Sequence, residues 1–414
     1  MTLTMSDSLA EATAEPTFYP GRRSATCPFR PAPEIAELAA AGPISTVRTW
    51  EGKRPWLITG YPEARELFAD PRVSADNHHP AYPHIHEGMK AVAEMSPRTM
   101  FNTDGAEHAR YRRMLAKPFT PKRLEAMRPN IQKHIDQTID AMLAAGDSAD
   151  LVTALALPVP SLMICELLGV PYADHAFFQE ATELGFGGQA SAEEQQQSTM
   201  AMLGYLNQLI EAKTASPAED LLSDVAELVN SGELQVWEAS LQAVGILVAG
   251  HETTANMISL AVVALLDQPE QLAILRDTED PEVLGNAVDE LIRYMTIVDT
   301  GLRRVAAEDI EVAGTVIPAG DPIVFDLASA NFDATVFADP ENLDLTRANA
   351  AQHLAFGSGR HQCIGLQLAR IELGMVLQTL FRRIPQLRLS KPVEEIEFKW
   401  DAMVYGVVEL PVQW

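Results

Sequence analysis

The sequence predicts a mainly α-helical protein with small β-sheets, an α+β chain in which strands are the minor part. Helical hydrophobic patterns cover most of the 414 residues. The longest runs from Glu238 to about Leu266 and is apolar nearly all round, as in a helix buried at the centre of a large fold. Short strand-like runs bounded by Gly and Pro occur near 44–59 and 310–326. The hydrophobic fraction, 47%, is enough for a large core.

No internal repeat, low-complexity tract or long Gly/Ser linker divides the chain, so we expect one domain over residues 27–414. Residues 1–26 are mixed and polar, and we expect them to form a disordered N-terminal tail. The N-terminus lacks a basic segment followed by an apolar run, and no stretch reaches about 18 uninterrupted apolar residues. We therefore expect neither secretion nor a membrane span.

Four elements are predicted first along the chain from their hydrophobic periods. A helix over 33–41 precedes strands over 44–49 and 55–59, and a helix over 62–68 follows them. Together they predict a small N-terminal β-region flanked by helices.

Residues 73–100 have few apolar repeats and predict a long irregular loop. The loop carries four histidines between His78 and His86. Their spacing suits no closed zinc site, so we interpret them as solvated or loop-packing side chains, and the role of this segment stays open.

Helical patterns over 129–170 end at Gly169 and Pro171, a typical stop signal. The stretch from Gly185 to Gly188 then interrupts the pattern before a helix over about 199–213. This break is either the hinge of a lid over a pocket or a plain surface loop.

Charge and cysteine content exclude several function classes. The formal net charge of −26 argues against nucleic acid or an anionic membrane as a partner, because both would be repelled. The three cysteines, Cys27, Cys165 and Cys363, are far apart and odd in number, which indicates neither a disulfide framework nor a zinc knuckle. We expect a reducing, cytoplasmic location.

One motif surrounds Cys363. Residues 356–365 read Phe-Gly-Ser-Gly-Arg-His-Gln-Cys-Ile-Gly and lead into an apolar helix, whose free N–H groups and positive end would favour a thiolate. A single cysteine is more often a small buried hydrophobe. The spacing F-x-x-G-x-x-x-C-x-G, with His361 two places before the sulfur, is a far more specific signal.

A second motif, Ala249-Gly-His-Glu-Thr-Thr254, places polar residues in the centre of the long apolar helix, where burial is costly. Ala249 and Thr253 share a face, and Gly250 would let a flat ligand or water approach the backbone. Glu252 is the adjacent acid. Taken alone, the motif would be read as a satisfied core threonine.

The two motifs together resemble the cytochrome P450 family of haem-thiolate monooxygenases, in particular its soluble actinobacterial members. The resemblance implies the cytochrome P450 fold, with the long central helix over haem b. Cys363 would be the thiolate ligand of the haem iron. Thr253 would hydrogen-bond dioxygen, and Glu252 would supply protons through water.

The resemblance also assigns binding and structural residues. Arg304 matches a position that binds a haem propionate, as do His108 and Arg112, which lie four apart on one helix face. Residues expected to contact haem are His108, Arg112, Ala249, Gly250, Arg304, Phe356, Gly357, His361, Cys363 and Gly365. Residues expected to border the substrate are Leu247, Val248, Ile297, Val298, Asp299, Met403 and Val404, with the role of Asp299 open. Glu290, Arg293 and Arg347 would form a buried structural network.

The acidic chain contains one local reversal of charge. Between Arg110 and Arg128 the chain has seven Lys or Arg residues and one acid. In the resemblance, a basic surface formed by Arg110, Arg113, Lys117, Lys122 and Arg123 would attract an acidic ferredoxin. The alternative is an ordinary solvated helix face. Since no flavin or NAD fingerprint is evident, we expect a ferredoxin and a ferredoxin reductase as electron donors.

The resulting functional prediction is a monooxygenase that uses dioxygen and two electrons to hydroxylate or epoxidise a hydrophobic small molecule. An NADH-dependent nitric oxide reductase of the same fold is an alternative, against which the acid Glu252 argues. A catalytically idle haem sensor or carrier is another, although it would not need the motif at 249–254.

Overall fold

The computed structural model describes residues 15–24, 27–174, 177–178, 180–181, 192–400 and 402–414. Within these residues the predicted fold class is confirmed, because helices dominate and the strands form small sheets. The predicted break from Gly185 to Gly188 lies outside the described residues.

The helices include several that the hydrophobic patterns did not predict. The α-helices of the described chain are α1 (Pro33–Ala41), α2 (Tyr61–Ala69), α3 (Glu87–Met95), α4 (Gly105–Leu115), α5 (Pro121–Ala145), α6 (Pro158–Leu168), α7 (Ala192–Ala215), α8 (Leu221–Asn230), α9 (Val236–Leu266), α10 (Pro269–Asp277), α11 (Pro281–Met295), α12 (Leu327–Asn331) and α13 (Leu366–Arg383). A π-helical turn, Val152–Ala156, precedes α6.

The strands are short. They are β1 (Ile44–Thr46), β2 (Trp56–Ile58), β3 (Val73–Ser74), β4 (Ser148–Asp150), β5 (Leu302–Ala306), β6 (Ile310–Val312), β7 (Thr315–Ile317), β8 (Pro322–Phe325), β9 (Arg388–Leu389) and β10 (Pro411–Gln413). A five-stranded sheet has the order β1-β2-β8-β5-β3, in which β2 and β8 are parallel and the other pairs antiparallel. Strands β4, β10 and β9 form a second sheet, and β6 and β7 a hairpin.

Helix α9 is the central element of the fold. A capping box between Gln235 and Glu238 begins it, and its 31 residues span about 46 Å. It packs against α6, α7 and α13. By length and composition α9 could cross a membrane, but 72% of its most apolar window is buried inside the fold, as in the core helix of a globular protein.

Residues 15–24 correct the expectation of a disordered tail over 1–26. The Tyr19 hydroxyl donates to Asp326 over 3.0 Å, and the Arg48 N–H donates to the Thr17 carbonyl over 2.8 Å. Tyr19 and Arg23 are both buried. Their partners lie far away in the sequence, so no local pattern could indicate this packing.

The segment 73–100 contains β3 and α3 and is therefore less irregular than predicted. His86 caps α3 by accepting from the Met89 N–H. The loop before α3 contacts the β1–β2 turn, because Trp50 Nε1 donates to the His84 carbonyl and Lys53 Nζ donates to the Tyr82 carbonyl. His84 is buried, and its ring lies 4.9 Å from that of Tyr82 at a tilted angle, so this part of the loop is packed against the protein.

Candidate active site

A cavity of about 430 Å³ lies between α9 and the loop that carries Cys363. The loop before α4, helices α4, α6 and α13 and strand β5 also contribute to its walls. Most lining side chains are apolar, and the polar ones gather at the loop side and at the middle of α9. Among the predicted site residues, the cavity is lined by His108, Arg112, Ala249, Gly250, Thr253, Ile297, Val298, Arg304, Phe356, Gly357, His361, Cys363 and Gly365.

The Cys363 loop has a backbone held by its own hydrogen bonds. The Cys363 N–H donates to the Phe356 carbonyl over 2.9 Å. At Gly359 the backbone has a φ of +70°, and a Cβ there would lie 2.3 Å from the Phe68 carbonyl oxygen. A side chain at this position would therefore be excluded by both strain and contact. The loop thus delivers Cys363 to the cavity beside the start of α13.

The Cys363 sulfur faces the cavity and is otherwise surrounded by protein. Burial raises the pKa of the Cys363 thiol, while the backbone N–H of Gly365, the Arg112 guanidinium and the backbone N–H of Leu366 act in the opposite direction. These donors would stabilise a thiolate once a cation faces the sulfur. The chemistry of the position is that of a metal ligand.

Two imidazole side chains and two guanidinium groups lie at one edge of the cavity. His108 and His361 have ring centroids 4.1 Å apart, and His361 Nε2 lies 3.1 Å from Asp104 Oδ1. Burial, helped by the nearby His361 and Arg112, lowers the pKa of His108 to about 4. Burial alone would raise the pKa of Asp104, but hydrogen bonds from His361, the Ser74 hydroxyl and the Ala75 N–H hold it at about 2.

Arg304 completes this edge from β5. It lies opposite Ile323 of β8, is buried, and donates from Nη1 to the Arg303 carbonyl over 2.7 Å. Burial lowers the pKa of Arg304, because it disfavours the charged form of the guanidinium.

The residues present fit the haem that the resemblance implies. The buried Nε2 of His108 has no hydrogen-bond partner among the described residues, and Arg112 and Arg304 present cations to the same cavity. Two carboxylates would satisfy these groups. An apolar cavity, a sulfur donor on one wall and cations at one edge match a flat apolar ring with two acidic substituents.

Helix α9 presents one face to the cavity, at the spacing of three and four residues that helical geometry requires. Thr253 lies on this face, and its Oγ1 donates to the Ala249 carbonyl over 2.6 Å. Glu252 lies just off the face, with Asn256 and Lys399 as partners. The lining residues of α9 are Ile246, Ala249, Gly250, Thr253, Thr254 and Met257.

Two residues expected to border the substrate lie on the wrong face of α9. Leu247 is 1% exposed and Val248 packs against the large core cluster, so neither lines the cavity. The helix turns 100° per residue, so proximity in sequence to Ala249 does not place a side chain beside it. Ile246, one residue before Leu247, lines the cavity instead.

The segment after α11 supplies only part of the expected border. Ile297 and Val298 line the cavity, whereas Asp299 turns away and pairs with Arg23. Met403 is 47% exposed and outside the cavity. Val404 forms a β-bridge with Val298 and does not itself line the cavity.

The three residues expected to form a structural network meet in the interior. Arg293 pairs with Glu290 over 2.7 Å, and Arg347 Nε lies 3.0 Å from both Glu290 oxygens. Both guanidinium groups also donate to carbonyls of the segment 331–342. The network connects α11 to the chain that leads to the Cys363 loop.

Several cavity residues were missed by reasoning from sequence. Tyr82 and Met100 come from the segment predicted as an irregular loop, where no period marks an inward face. Glu372 had a detectable signal, since it stands on the buried face of α13 beside Leu373 and Val376. Burial raises the pKa of Glu372 to about 8, and its Oε1 has no partner among the described residues.

Comparison with known proteins identifies the family of this chain. A family model described as Cytochrome P450 matches residues 189–385. Cytochrome P450 CYP105Q4 of Mycobacterium marinum is 53% identical over 414 residues, which are 99% of this chain and 100% of that protein.

Solved structures show the same fold over nearly the whole chain. The crystal structure of GfsF has a TM-score of 0.92 at 47% identity, and the match covers 96% of this chain and 100% of that one. Cytochrome P450 GfsF of Streptomyces halstedii is also one of the curated relatives. The crystal structure of cytochrome P450 MoxA from Nonomuraea recticatena has a TM-score of 0.90 at 45% identity, and the match covers 95% of this chain and 98% of that one. At this identity over almost full length, the chain belongs to the cytochrome P450 family.

Proposed function

We propose that this cytochrome P450 monooxygenase holds haem b through the Cys363 thiolate and oxidises a hydrophobic small molecule in the cavity beneath α9. The observation that carries the proposal is one apolar cavity with Cys363 on one wall and Thr253 on the other. Membership of the family implies a haem iron with a cysteine thiolate ligand. The residues that would bind the propionates are His108, Arg112, His361 and Arg304.

When bound, haem would supply the activation of dioxygen and the insertion of one oxygen atom, which thiolate ligation favours. The chain supplies position and protons. Thr253 presents its hydroxyl to the cavity from the middle of α9 and, with its proton donated to the Ala249 carbonyl, can accept a hydrogen bond there. Glu252, one residue before it, is partly exposed and can exchange protons with water.

The apolar walls exclude water and orient the substrate. Ile164, Ile246, Ile297 and Val298 come from three separate parts of the chain and meet at the cavity. Their chemistry selects for apolar surface rather than for charge. Hydroxylation or epoxidation of a hydrophobic compound is the reaction that this lining supports.

Electrons are proposed to come from a ferredoxin and its reductase, since bacterial enzymes of this type use separate redox partners. The expected basic surface is smaller than the sequence suggests. Lys117 and Arg123 both pair with Asp224, so their charges are largely compensated. Arg113 and Lys122 are exposed, and no ion pair is recorded for them among the described residues. These two side chains are the proposed contacts for an acidic ferredoxin.

Relatives guide the choice of substrates to test. A relative from Streptomyces griseolus is named vitamin D3 dihydroxylase, and a solved relative from Micromonospora griseorubida is a methyl hydroxylase bound to mycinamicin VIII. We propose that the substrate of this chain is similar in size and apolar character to vitamin D3 and mycinamicin VIII. A cytoplasmic location is proposed with it, supported by the bacterial relatives and by the buried position of α9.

The test uses the haem-loaded protein, reduced under carbon monoxide. We expect a Soret band strongly red-shifted from that of histidine-ligated haem, and its loss in Cys363→Ala. Vitamin D3 and mycinamicin VIII are then titrated and assayed for oxidised products with NADPH, a ferredoxin and a reductase. A histidine-type spectrum, or nitric oxide consumption with NADH and no ferredoxin, would contradict the proposal.

A further inference from the structure

A C-terminal hairpin rests on α9 beside the second motif. The hairpin comprises the described residues 398–400 and 402–407 and is closed by a β-bridge between Phe398 and Val407. Lys399 Nζ lies 3.1 Å from Glu252 Oε1. The hairpin therefore brings a cation from a distant part of the chain to the acid beside Thr253.

The close approach of the hairpin to α9 requires a glycine. The Lys399 N–H donates to the Gly406 carbonyl over 2.9 Å, which sets the two hairpin arms against each other. A Cβ at Gly406 would lie 1.9 Å from Asn256 Oδ1. Because no side chain could fit between this arm and α9, the backbone lies directly on Asn256, and Lys399 can reach the helix one turn earlier.

Glu252 is held by two donors on one oxygen. Asn256 Nδ2 donates to the Glu252 carbonyl over 3.0 Å and to Glu252 Oε1 over 3.3 Å, and Lys399 binds the same Oε1. Both contacts engage Oε1, so Oε2 is the oxygen available to water. The side chains of Lys399 and Glu252 are 28% and 27% exposed, which leaves the carboxylate open to proton exchange with solvent.

The other charged and titratable groups around Glu252 do not replace Lys399. His251 precedes it on α9, is buried, and has its pKa lowered by burial, so it is neutral near pH 7. Lys399 is thus the cation that the structure places within ion-pair distance of the acid.

The same hairpin contacts the wall of the cavity. Val404 forms a β-bridge with Val298, and the Tyr405 N–H donates to the Ile297 carbonyl over 2.8 Å. A single element therefore sets the place of the acid and of two residues that line the cavity.

We propose that Lys399 is a positioning residue for Glu252. It fixes Oε1 on the partly exposed side of α9, one residue before the cavity-lining Thr253, so that a proton taken up from water reaches the Thr253 side of α9. The inference rests on the proposed function, in which Glu252 supplies protons for the oxidation. It adds a residue outside the cavity to the proton path.

The experiment compares haem-loaded variants with wild type, using whichever of vitamin D3 and mycinamicin VIII is oxidised in the test above. Lys399→Met removes the charge and keeps the length of the side chain, and Lys399→Arg keeps the charge. Lys391→Met is the matched control, because Lys391 forms a pair of the same length with Glu409 and not with Glu252. Product, hydrogen peroxide and NADPH consumed are measured together.

For Lys399→Met we expect product per NADPH to fall at least about threefold and peroxide to rise, with KM within about twofold, since proton delivery and not substrate binding is affected. Lys399→Arg should restore most of the yield, and Lys391→Met should match wild type. In the Glu252→Gln background, Lys399→Met should cause no further loss of product per NADPH, because the two residues act as one unit.

Two results would overturn the inference. One is an unchanged or raised yield in Lys399→Met while Glu252→Gln is uncoupled; the other is an equal loss in Lys399→Met and Lys399→Arg. If Glu252→Gln itself leaves the yield unchanged, the role of Glu252 in the proposed function fails instead. Should Lys399→Met not retain haem, Lys399→Gln replaces it under the same criteria.

Discussion

Arg23 and Asp299 form a buried ion pair with 2.6 Å between Nε and Oδ1, and their side chains are 1% and 9% exposed. Arg23 also donates to the carbonyls of Met295 and Thr296, where α11 ends, and lies over the Tyr405 ring. Thr296 has a φ of +27°, a conformation that few non-glycine residues adopt. The guanidinium thus holds the strained turn from which Ile297 and Val298 reach the cavity.

Removing this guanidinium should destabilise the protein and loosen the cavity wall. We expect Arg23→Met to lower the free energy of unfolding by about 3 kcal/mol, because it leaves the Asp299 carboxylate buried without its partner. Arg23→Met with Asp299→Asn should be less damaging than Arg23→Met alone. Thermal unfolding of the haem-loaded variants measures both.

Arg30→Met is the control, since the Arg30 pair with Glu341 is exposed and should contribute below about 1 kcal/mol. Equal melting temperatures for Arg23→Met and Arg30→Met would contradict the structural role of Arg23.

Thr253 should control how electrons are used rather than whether substrate binds. In Thr253→Ala we expect product per NADPH to fall about tenfold or more and hydrogen peroxide to rise, because a hydroxyl at the cavity is lost. Ser259→Ala is a matched control, since Ser259 makes the same contact to a carbonyl four residues earlier, outside the cavity. Equal coupling in the two variants would remove Thr253 from the proposed mechanism.

Glu372 should make the stability of the protein depend on pH. Burial raises its pKa from 4.5 to about 8 in the folded chain, so between these values the folded state binds the extra proton. Stability therefore falls as pH rises from about 4.5 to 8, by on the order of 1 kcal/mol for each pH unit. Glu372→Gln mimics the neutral acid and should lack this slope.

Melting temperatures of wild type and Glu372→Gln, measured from pH 5 to pH 8, check this prediction. The two should diverge as pH rises, with the variant the more stable. The exposed Glu279, changed to Gln, provides the control. Parallel curves for wild type and Glu372→Gln would show that Glu372 is ionised in the folded protein.

Arg113 and Lys122 should affect electron supply. Reversing both charges, as Arg113→Glu with Lys122→Glu, should raise the KM for ferredoxin severalfold at low ionic strength and less at high salt, because exposed charges act through a screened field. The single change Lys391→Glu tests whether net charge alone matters. The rate of ferredoxin-dependent reduction is measured. An effect that is independent of salt would argue against an electrostatic contact.

The parts of the site that sequence predicts are those built from contiguous motifs. The Cys363 loop and the face of α9 with Ala249, Gly250 and Thr253 each follow from a local pattern, because a loop or one helix turn places those side chains by itself. Arg304 needs only the added prediction of a strand. Leu247 and Val248 were placed wrongly because closeness in sequence was used where the helical period decides.

Other features depend on contacts that no local pattern contains. Asp299 is an unexplained acid in the sequence, and its partner Arg23 is 276 positions away in a segment expected to be disordered. The pair of Lys399 with Glu252 spans 147 positions. Helix α3 has only nine residues and follows a stretch rich in His and Pro, so its period was too short to detect.

The Arg23 contact also has a consequence for how the chain reaches its native state. Pairing over such a separation is entropically slow, whereas α9, α11 and α13 can associate through nearer neighbours. The helical body should therefore form early and the wall at Ile297 and Val298 late. A folding intermediate would then have an open-sided cavity, through which a large planar molecule could enter before the wall closes behind it.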